Sequence, residues 1–275
     1  MYRRILTVQD ISCLGQCSMT VALPILSACG HETCVLPTAI LSTHTGGFGQ
    51  VHFHDLTHEI PPILEHWNRE NIRFDGIYAG YLGSIDQIKL VQNLFDTMVE
   101  NRGVRVLDPA MADHGKLYRG FDGEYVEAMK SLCAKADVLI PNVTEACLLT
   151  ATPYEERNDP DFAGILLEKL EALCSCVILT GVGDAPERTG VALLHKGEIC
   201  FYYHEKLPRS YHGTGDIFAA AFVGAWQRGN SLEEAVRIAA DFTALCIRRT
   251  WENPAHWYGV KFETALPELI RMLEN

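Results

Sequence analysis

The chain has 275 residues, 48% hydrophobic and 21% charged, and a formal net charge of −12 from 35 Asp and Glu against 23 Lys and Arg. This is the composition of a folded protein long enough to bury a sizeable core, and it excludes a disordered chain. The acidic balance, with nothing more basic near a helix end than Arg248 beside Arg249, excludes the cationic footprint a nucleic-acid partner requires, and no apolar run approaches the ~18–20 residues of a membrane span.

From the N-terminus, the run Arg4-Ile5-Leu6-Thr7-Val8 reads as a strand and not as a signal peptide, so a cytoplasmic location is expected. Strands are predicted over residues 5–9, 33–36, 76–79, 104–107, 138–140 and 177–180, and helices over 85–100, 125–136 and 163–173. Several of the strands are almost entirely apolar, as they must be when helices cover both sheet faces. Strand–helix alternation predicts an α/β fold with a doubly wound, mostly parallel central sheet. The glycine-rich stretch Thr45-Gly46-Gly47-Phe48-Gly49-Gln50 predicts a small mobile flap.

The pattern changes after residue 190. Segments 191–194 and 199–203, joined by His195-Lys196-Gly197-Glu198, predict an antiparallel hairpin. Three helices follow, opening at Gly215, at Ser231 and at Phe262; Glu234, three residues after Ser231, predicts a capping box. With no repeat or linker, a single domain over 1–275 is expected. Ten cysteines scattered through apolar stretches, with no CxxC pair, predict reduced thiols.

Ligands of such sheets bind beyond the carboxyl ends of the strands. The polar residues expected there are Asp10, Tyr81, Asp108, Asp113, Asn142, Glu145, Thr180 and Gly181. The most informative segment is Gly213-Thr214-Gly215-Asp216, leading into a helix of small apolar residues. Glycines let backbone amides converge at a helix N-terminus, whose partial positive charge suits an anionic oxygen. Asp216 in the first turn would then stand beside an attacking hydroxyl. The same residues also fit a plain turn whose Asp complements the helix dipole. No GxxxxGK[ST] loop occurs in the chain. Asn142 and Glu145, three apart after a strand, suit either a hydrated Mg²⁺ or a helix capping box.

Taken together these segments resemble the ribokinase superfamily, and within it the pyridoxal/pyridoxamine (vitamin B6) kinases, over nearly the whole chain. Asn142-Val143-Thr144-Glu145 is similar to the NxxE motif, Ser42-Thr43-His44-Thr45-Gly46 to S-N-H-T-G, Gly80-Tyr81-Leu82-Gly83-Ser84 to a GYxxS segment, and Asp108-Pro109-Ala110-Met111-Ala112-Asp113 to DPVxGD. The resemblance implies ATP-dependent phosphorylation of the primary alcohol of pyridoxal, pyridoxamine or pyridoxine, with Mg²⁺ and an optional monovalent cation, by a homodimer. It implies Asp216 as general base and the amides of Gly213, Thr214 and Gly215 as the anion hole. Asp10, His44, Thr45 and Tyr81 would bind the acceptor, with Tyr81 on its pyridine ring. Asp113, Tyr118, Asn142 and Thr180 would bind ATP, and Asp108 and Glu145 would serve the metal. Singly, His44 could be a loop histidine and Tyr81 a core aromatic.

Two departures stand out. Asp10 occupies a position where these kinases carry Ser, and His212-Gly213-Thr214-Gly215-Asp216 differs only by its Asp from the HGTGC of hydroxymethylpyrimidine kinases, the alternative activity. A non-catalytic B6- or nucleotide-binding protein of the same fold is the third reading. A sugar kinase is disfavoured because the glycine- and asparagine-rich N-terminal sugar motif is missing.

Overall fold

The computed structural model describes every residue except Met1, Pro208, Ser210, Pro254 and Asn275. In chain order the elements are β1 (Arg4–Ser12), α1 (Met19–Ala28), β2 (Glu32–Leu41), β3 (Phe53–Asp55), α2 (Ile60–Arg69), β4 (Phe74–Ala79), α3 (Ile85–Thr97) and β5 (Val99–Leu107). Then come the short strands β6 (Ala112–Asp113) and β7 (Lys116–Leu117), α4 (Gly123–Cys133), β8 (Val138–Leu139), α5 (Val143–Leu149), α6 (Pro160–Leu170) and β9 (Cys176–Val182). The hairpin β10 (Arg188–His195) and β11 (Glu198–Glu205) precedes α7 (Thr214–Arg228), α8 (Leu232–Trp251) and α9 (Leu266–Met272).

Nine strands form one sheet in the order β11-β10-β9-β8-β5-β4-β1-β2-β3. The six from β9 to β2 are parallel, while β10, β11 and β3 join antiparallel. This is the doubly wound sheet with a late hairpin that the strand–helix alternation predicts.

Successive strand side chains point to opposite faces, so each apolar strand feeds two cores. Leu6, Val8, Ile77, Ala79, Leu107, Leu139, Val177 and Leu179 pack with residues of α2 to α6. Their neighbours Ile5, Tyr78, Val106, Val138 and Ile178 pack with α1, α7, α8 and α9. Helix starts are fixed locally by N-cap oxygens: Ser84 accepts from the Gln87 amide, Asp122 from Glu124 and Tyr125, and Asp159 from Phe162.

Some expectations change. The helix predicted over 85–100 ends at Thr97, because β-branched Val99 already begins β5. At Ser231 only half of the capping box forms: its hydroxyl accepts from the Glu234 amide, but the Glu234 carboxylate pairs with Arg237 at 2.6 Å. The last helix begins with a 3₁₀ turn at Glu263–Ala265. All ten cysteines carry free thiols, six of them buried.

Candidate active site

Past their last paired residues, the central strands stay tied to their neighbours. The Asp108 amide donates to the Ala79 carbonyl at 2.9 Å, Ile140 to Leu107 at 2.9 Å, and Thr180 to Pro141 at 2.9 Å. These bonds line up Asp108, Asn142 and Thr180 along one carboxyl edge of the sheet. Asp10 lies inside β1 and not after it, where the register with β2 slips between Gln9 and Ile11.

Asp216 enters from the opposite element, α7. Gly213 is the N-cap of that helix at φ 83°, and an added Cβ would lie 1.9 Å from the Gln16 carbonyl oxygen, so only glycine fits. The first intrahelical bond runs from Ile217 to the Gly213 carbonyl at 3.0 Å, leaving the amides of residues 214–216 without helical partners. A Cβ on Gly215 would meet nothing within 4 Å, so the side of the helix start that Gly215 faces is open. The sequence assigns an anion hole to the amides of Gly213, Thr214 and Gly215; the helical geometry frees those of Thr214 and Gly215 and adds that of Asp216.

Asp216 is half-buried as a residue, and lost hydration pushes its carboxyl pKa up to about 7. The backbone amide of Ser18 opposes that shift, and the charge of Asp10 adds to it. A carboxyl poised near neutrality matches the requirement of a general base working at physiological pH.

Three more acids, all raised by burial, form a chain of neighbours with it: Asp10 and Asp108 interact with Asp216, and Glu145 with Asp108. Asp10, 4% exposed, accepts from the Ser12 hydroxyl at 3.0 Å and is held down partly by Ser18. Asp108 is raised first by lost hydration and then by the charge of Asp216. Glu145, 2% exposed, is raised by burial and then by Asp108, against three backbone donors. No cation contributes to the titration of any of the four.

The capping alternative for Asn142 and Glu145 is realised in full: the Asn142 Oδ1 accepts from the Glu145 amide and Glu145 Oε2 from the Asn142 amide, both at 2.9 Å. Glu145 Oε1 also accepts from Met111 at 3.1 Å, and Asn142 Nδ2 donates to the Ala112 carbonyl at 2.9 Å. The pair therefore clamps the loop after Asp108 to the start of α5. Both carboxylate oxygens already meet backbone amides, so Glu145 serves a metal most simply through water or by fixing that loop.

On the other side of this clamp a cleft of about 330 Å³ is lined by Asp113, Asn142, Thr144, Tyr154, Asn158, Thr180, Gly181 and Lys206. Here lie three of the four residues assigned to ATP. The fourth, Tyr118, is 40% exposed, bonds through its amide to Met111, and has its phenol raised by burial and then by Glu145, Asp113 and Asp108. A larger hollow of about 590 Å³ lies at the other end of the sheet, around Arg4, Asp75 and Arg102, and holds none of the predicted site residues.

Of the residues assigned to the acceptor, Tyr81 lies near Asp10, while His44 lies against His212 and Phe48. Burial and then the Asp10 charge push the Tyr81 phenol up to about 12, and its ring lies 5.7 Å from Phe121. His44 is buried, with Nε2 against the Tyr258 carbonyl at 2.7 Å and Nδ1 accepting from the Gly46 amide at 3.0 Å. Both nitrogens are thus engaged, and His44 offers a ligand its ring and not a hydrogen bond. Thr45 is exposed beside it. Sequence reading missed Ser18, whose amide reaches Asp216, and Cys17, whose thiol burial and the two Asp charges push up to about 12. Their loop (residues 13–18) carries no motif; its glycine and serine are the only local signals.

A metal ion suits this donor set. Uncompensated carboxylates attract a hard divalent cation, and Mg²⁺ binds through one or two of them plus waters and substrate phosphates. Among the described residues no group of three or more His, Cys, Asp or Glu side chains forms a protein-only cage for a metal ion.

A parallel sheet whose carboxyl edge carries acids, facing a glycine-opened helix with an Asp in its first turn, defines a phosphotransferase with an alcohol acceptor, of the ribokinase-like class. Solved structures agree on the fold. Pyridoxal kinase of Lactobacillus plantarum superposes with a TM-score of 0.92 at 32% identity, over 99% of this chain and 98% of that one. A putative phosphomethylpyrimidine kinase of Bacteroides thetaiotaomicron, solved with pyridoxal, gives 0.91 at 37% identity, over 97% and 95%. The chain belongs to the phosphomethylpyrimidine kinase family, whose model matches residues 23–260. The hydroxymethylpyrimidine/phosphomethylpyrimidine kinase of Bacillus subtilis is 28% identical over 219 residues, 78% of this chain and 77% of that protein.

Proposed function

We propose that the protein transfers the γ-phosphoryl group of ATP to the primary alcohol of a vitamin B6 vitamer (pyridoxal, pyridoxamine or pyridoxine), as one catalytic unit spanning residues 1–275. The observation that carries this is Asp216, held near neutrality beside the open amides of α7. Its carboxylate takes the alcohol proton as the oxygen attacks, and the amides of residues 214–216 receive the charge on the transferring group. Asp10 and Tyr81 orient the acceptor, with His44 and Thr45 closing over it. Thr180, Asn142, Asp113 and Tyr118 line the phosphate path. Bound Mg²⁺ would supply charge neutralisation of the phosphates, with Asp108 and Glu145 on its side of the site. Transfer of this kind is mostly positioning, which such a set supplies.

Support for a B6 acceptor comes from the identity shared with the Lactobacillus plantarum pyridoxal kinase and with the Bacteroides protein solved with pyridoxal. The family model and the Bacillus subtilis relative favour a second acceptor, hydroxymethylpyrimidine. A fold kept only for binding would have no need of a carboxyl tuned to about 7. A homodimer and a monovalent-cation requirement belong to the same proposal.

The test is ATP consumption with each vitamer, hydroxymethylpyrimidine and ribose, with and without Mg²⁺ and K⁺. The expected result is the highest kcat/KM for a vitamer and no turnover without Mg²⁺. Turnover of hydroxymethylpyrimidine alone would transfer the assignment to the second acceptor.

A further inference from the structure

The flap predicted over residues 45–50 is seated, not free, and what seats it is the segment just before the final helix. His44 Nε2 meets the Tyr258 carbonyl at 2.7 Å. The Phe48 ring lies 4.8 Å from Trp257 and 5.0 Å from His44. A Cβ on Gly47 would come within 2.8 Å of the Trp257 ring, and one on Gly46 within 2.4 Å of the His212 ring. The flap backbone is therefore pressed between Trp257 and the residue that opens the anion hole.

The same segment is tied to the loop that serves Asp216. His256 Nε2 lies 3.2 Å from Gln16 Oε1, and an added Cβ on Gly259 would lie 2.3 Å from that oxygen. The Gln16 carbonyl is what forces glycine at 213, and Ser18, two residues on, gives its amide to Asp216. Flap, anion hole and general base thus share one support. Trp257 is 42% exposed, so core packing does not account for its contact with the flap.

We propose that residues 256–259 form a strap that fixes the flap over the acceptor, and that Trp257 is the positioning residue of this strap. The inference rests on the kinase reading above. A seated flap keeps water from competing with the acceptor alcohol. When it is loose, a water oxygen can form the bond to the γ-phosphorus as the bond to ADP breaks, releasing inorganic phosphate and a proton.

The experiment measures phosphorylated acceptor and inorganic phosphate in the same reaction for wild type, Trp257→Ala and Trp257→Phe. Trp257→Ala is expected to raise the acceptor KM fivefold or more and to increase phosphate release. It should leave the ATP KM within twofold, and Trp257→Phe should restore most of the loss. An unchanged acceptor KM with unchanged phosphate release overturns the proposal, as does an ATP KM that rises in parallel. Should Trp257→Ala fail to fold, Phe48→Ala, which removes the ring that Trp257 meets from the flap side, must show the same split; a variant without it overturns the strap. Absence of wild-type turnover on every vitamer sinks the substrate reading separately, because phosphate release from ATP still reports on the strap.

Discussion

The two ends of the sheet treat their acids in opposite ways. At the amino ends of the strands, Glu32 lies 3.2 Å from Arg4, Asp137 3.3 Å from Arg105 and Asp75 4.0 Å from Arg3. At the carboxyl ends, Asp10, Asp108, Glu145 and Asp216 meet hydroxyls, amides and one another's charges but, among the described residues, no cationic partner, and all four are harder to ionise than usual. Burying unpaired carboxylates costs stability. The chain thus balances its acids with arginines at one end of the sheet and leaves them unpaired at the other. The larger hollow lies at the balanced end, so cavity size does not follow the unpaired acids.

The sharpest way to break this contrast is Asp216→Asn. Turnover should fall by about 10²–10⁴, the usual worth of a general base. A variant keeping more than half the wild-type rate would remove Asp216 from that role. Its stability should move the other way. A carboxyl raised to about 7 favours folding only while protonated, so its cost grows as pH rises from about 4 to 7. Asp216→Asn should therefore melt a few degrees above wild type at pH 8, with a smaller gap at pH 5. In the wild type, kcat/KM for the acceptor should climb with pH through about 7.

Asp10→Ala comes next. Loss of a charge-assisted contact is worth about 1.5–3 kcal/mol, so the KM for a pyridine acceptor should rise tenfold or more while the ATP KM stays put. It should also shift the pH optimum of kcat/KM. The reverse pattern would move Asp10 to the nucleotide side. Glu145→Gln places an NH₂ among three backbone donors, which should cost about 1–3 kcal/mol of stability and raise the Mg²⁺ needed for half-maximal rate. A lower melting temperature with an unchanged Mg²⁺ titration would reduce Glu145 to a helix cap. The smallest effect belongs to the balanced end. Glu32→Gln breaks a half-exposed pair and should change stability by no more than about 1 kcal/mol, with kcat untouched. A large kinetic effect there would undo the comparison.

The central strands were legible in the sequence because short apolar runs rich in β-branched residues, bounded by turn residues, fit a buried strand better than a helix. The sequence hid α1, where Pro24 interrupts an almost wholly apolar stretch, and α2, which opens on Pro61 and Pro62. Motifs whose residues are contiguous, such as Gly213 to Asp216 and Asn142 to Glu145, were readable, although only the structure shows the second acting as a complete cap. Contacts across the chain were not. Nothing local in residues 44–50 announces Tyr258, and nothing near Asp216 announces Ser18.

The seat of α7 carries a consequence for how the molecule is made. His31, just before β2, reaches the Gly224 carbonyl at 2.9 Å across 193 residues of chain, and the Cys29 sulfur leaves no room for a Cβ on Gly224. Closing so long a loop is entropically unfavourable until many other contacts form with it, and such distant pairings slow folding. During synthesis, α1 emerges with an apolar face whose partner has yet to be translated. All nine strands of the sheet are translated before residue 214, so a chain cut short there would carry every one of them but lack α7, the helix that packs on α1.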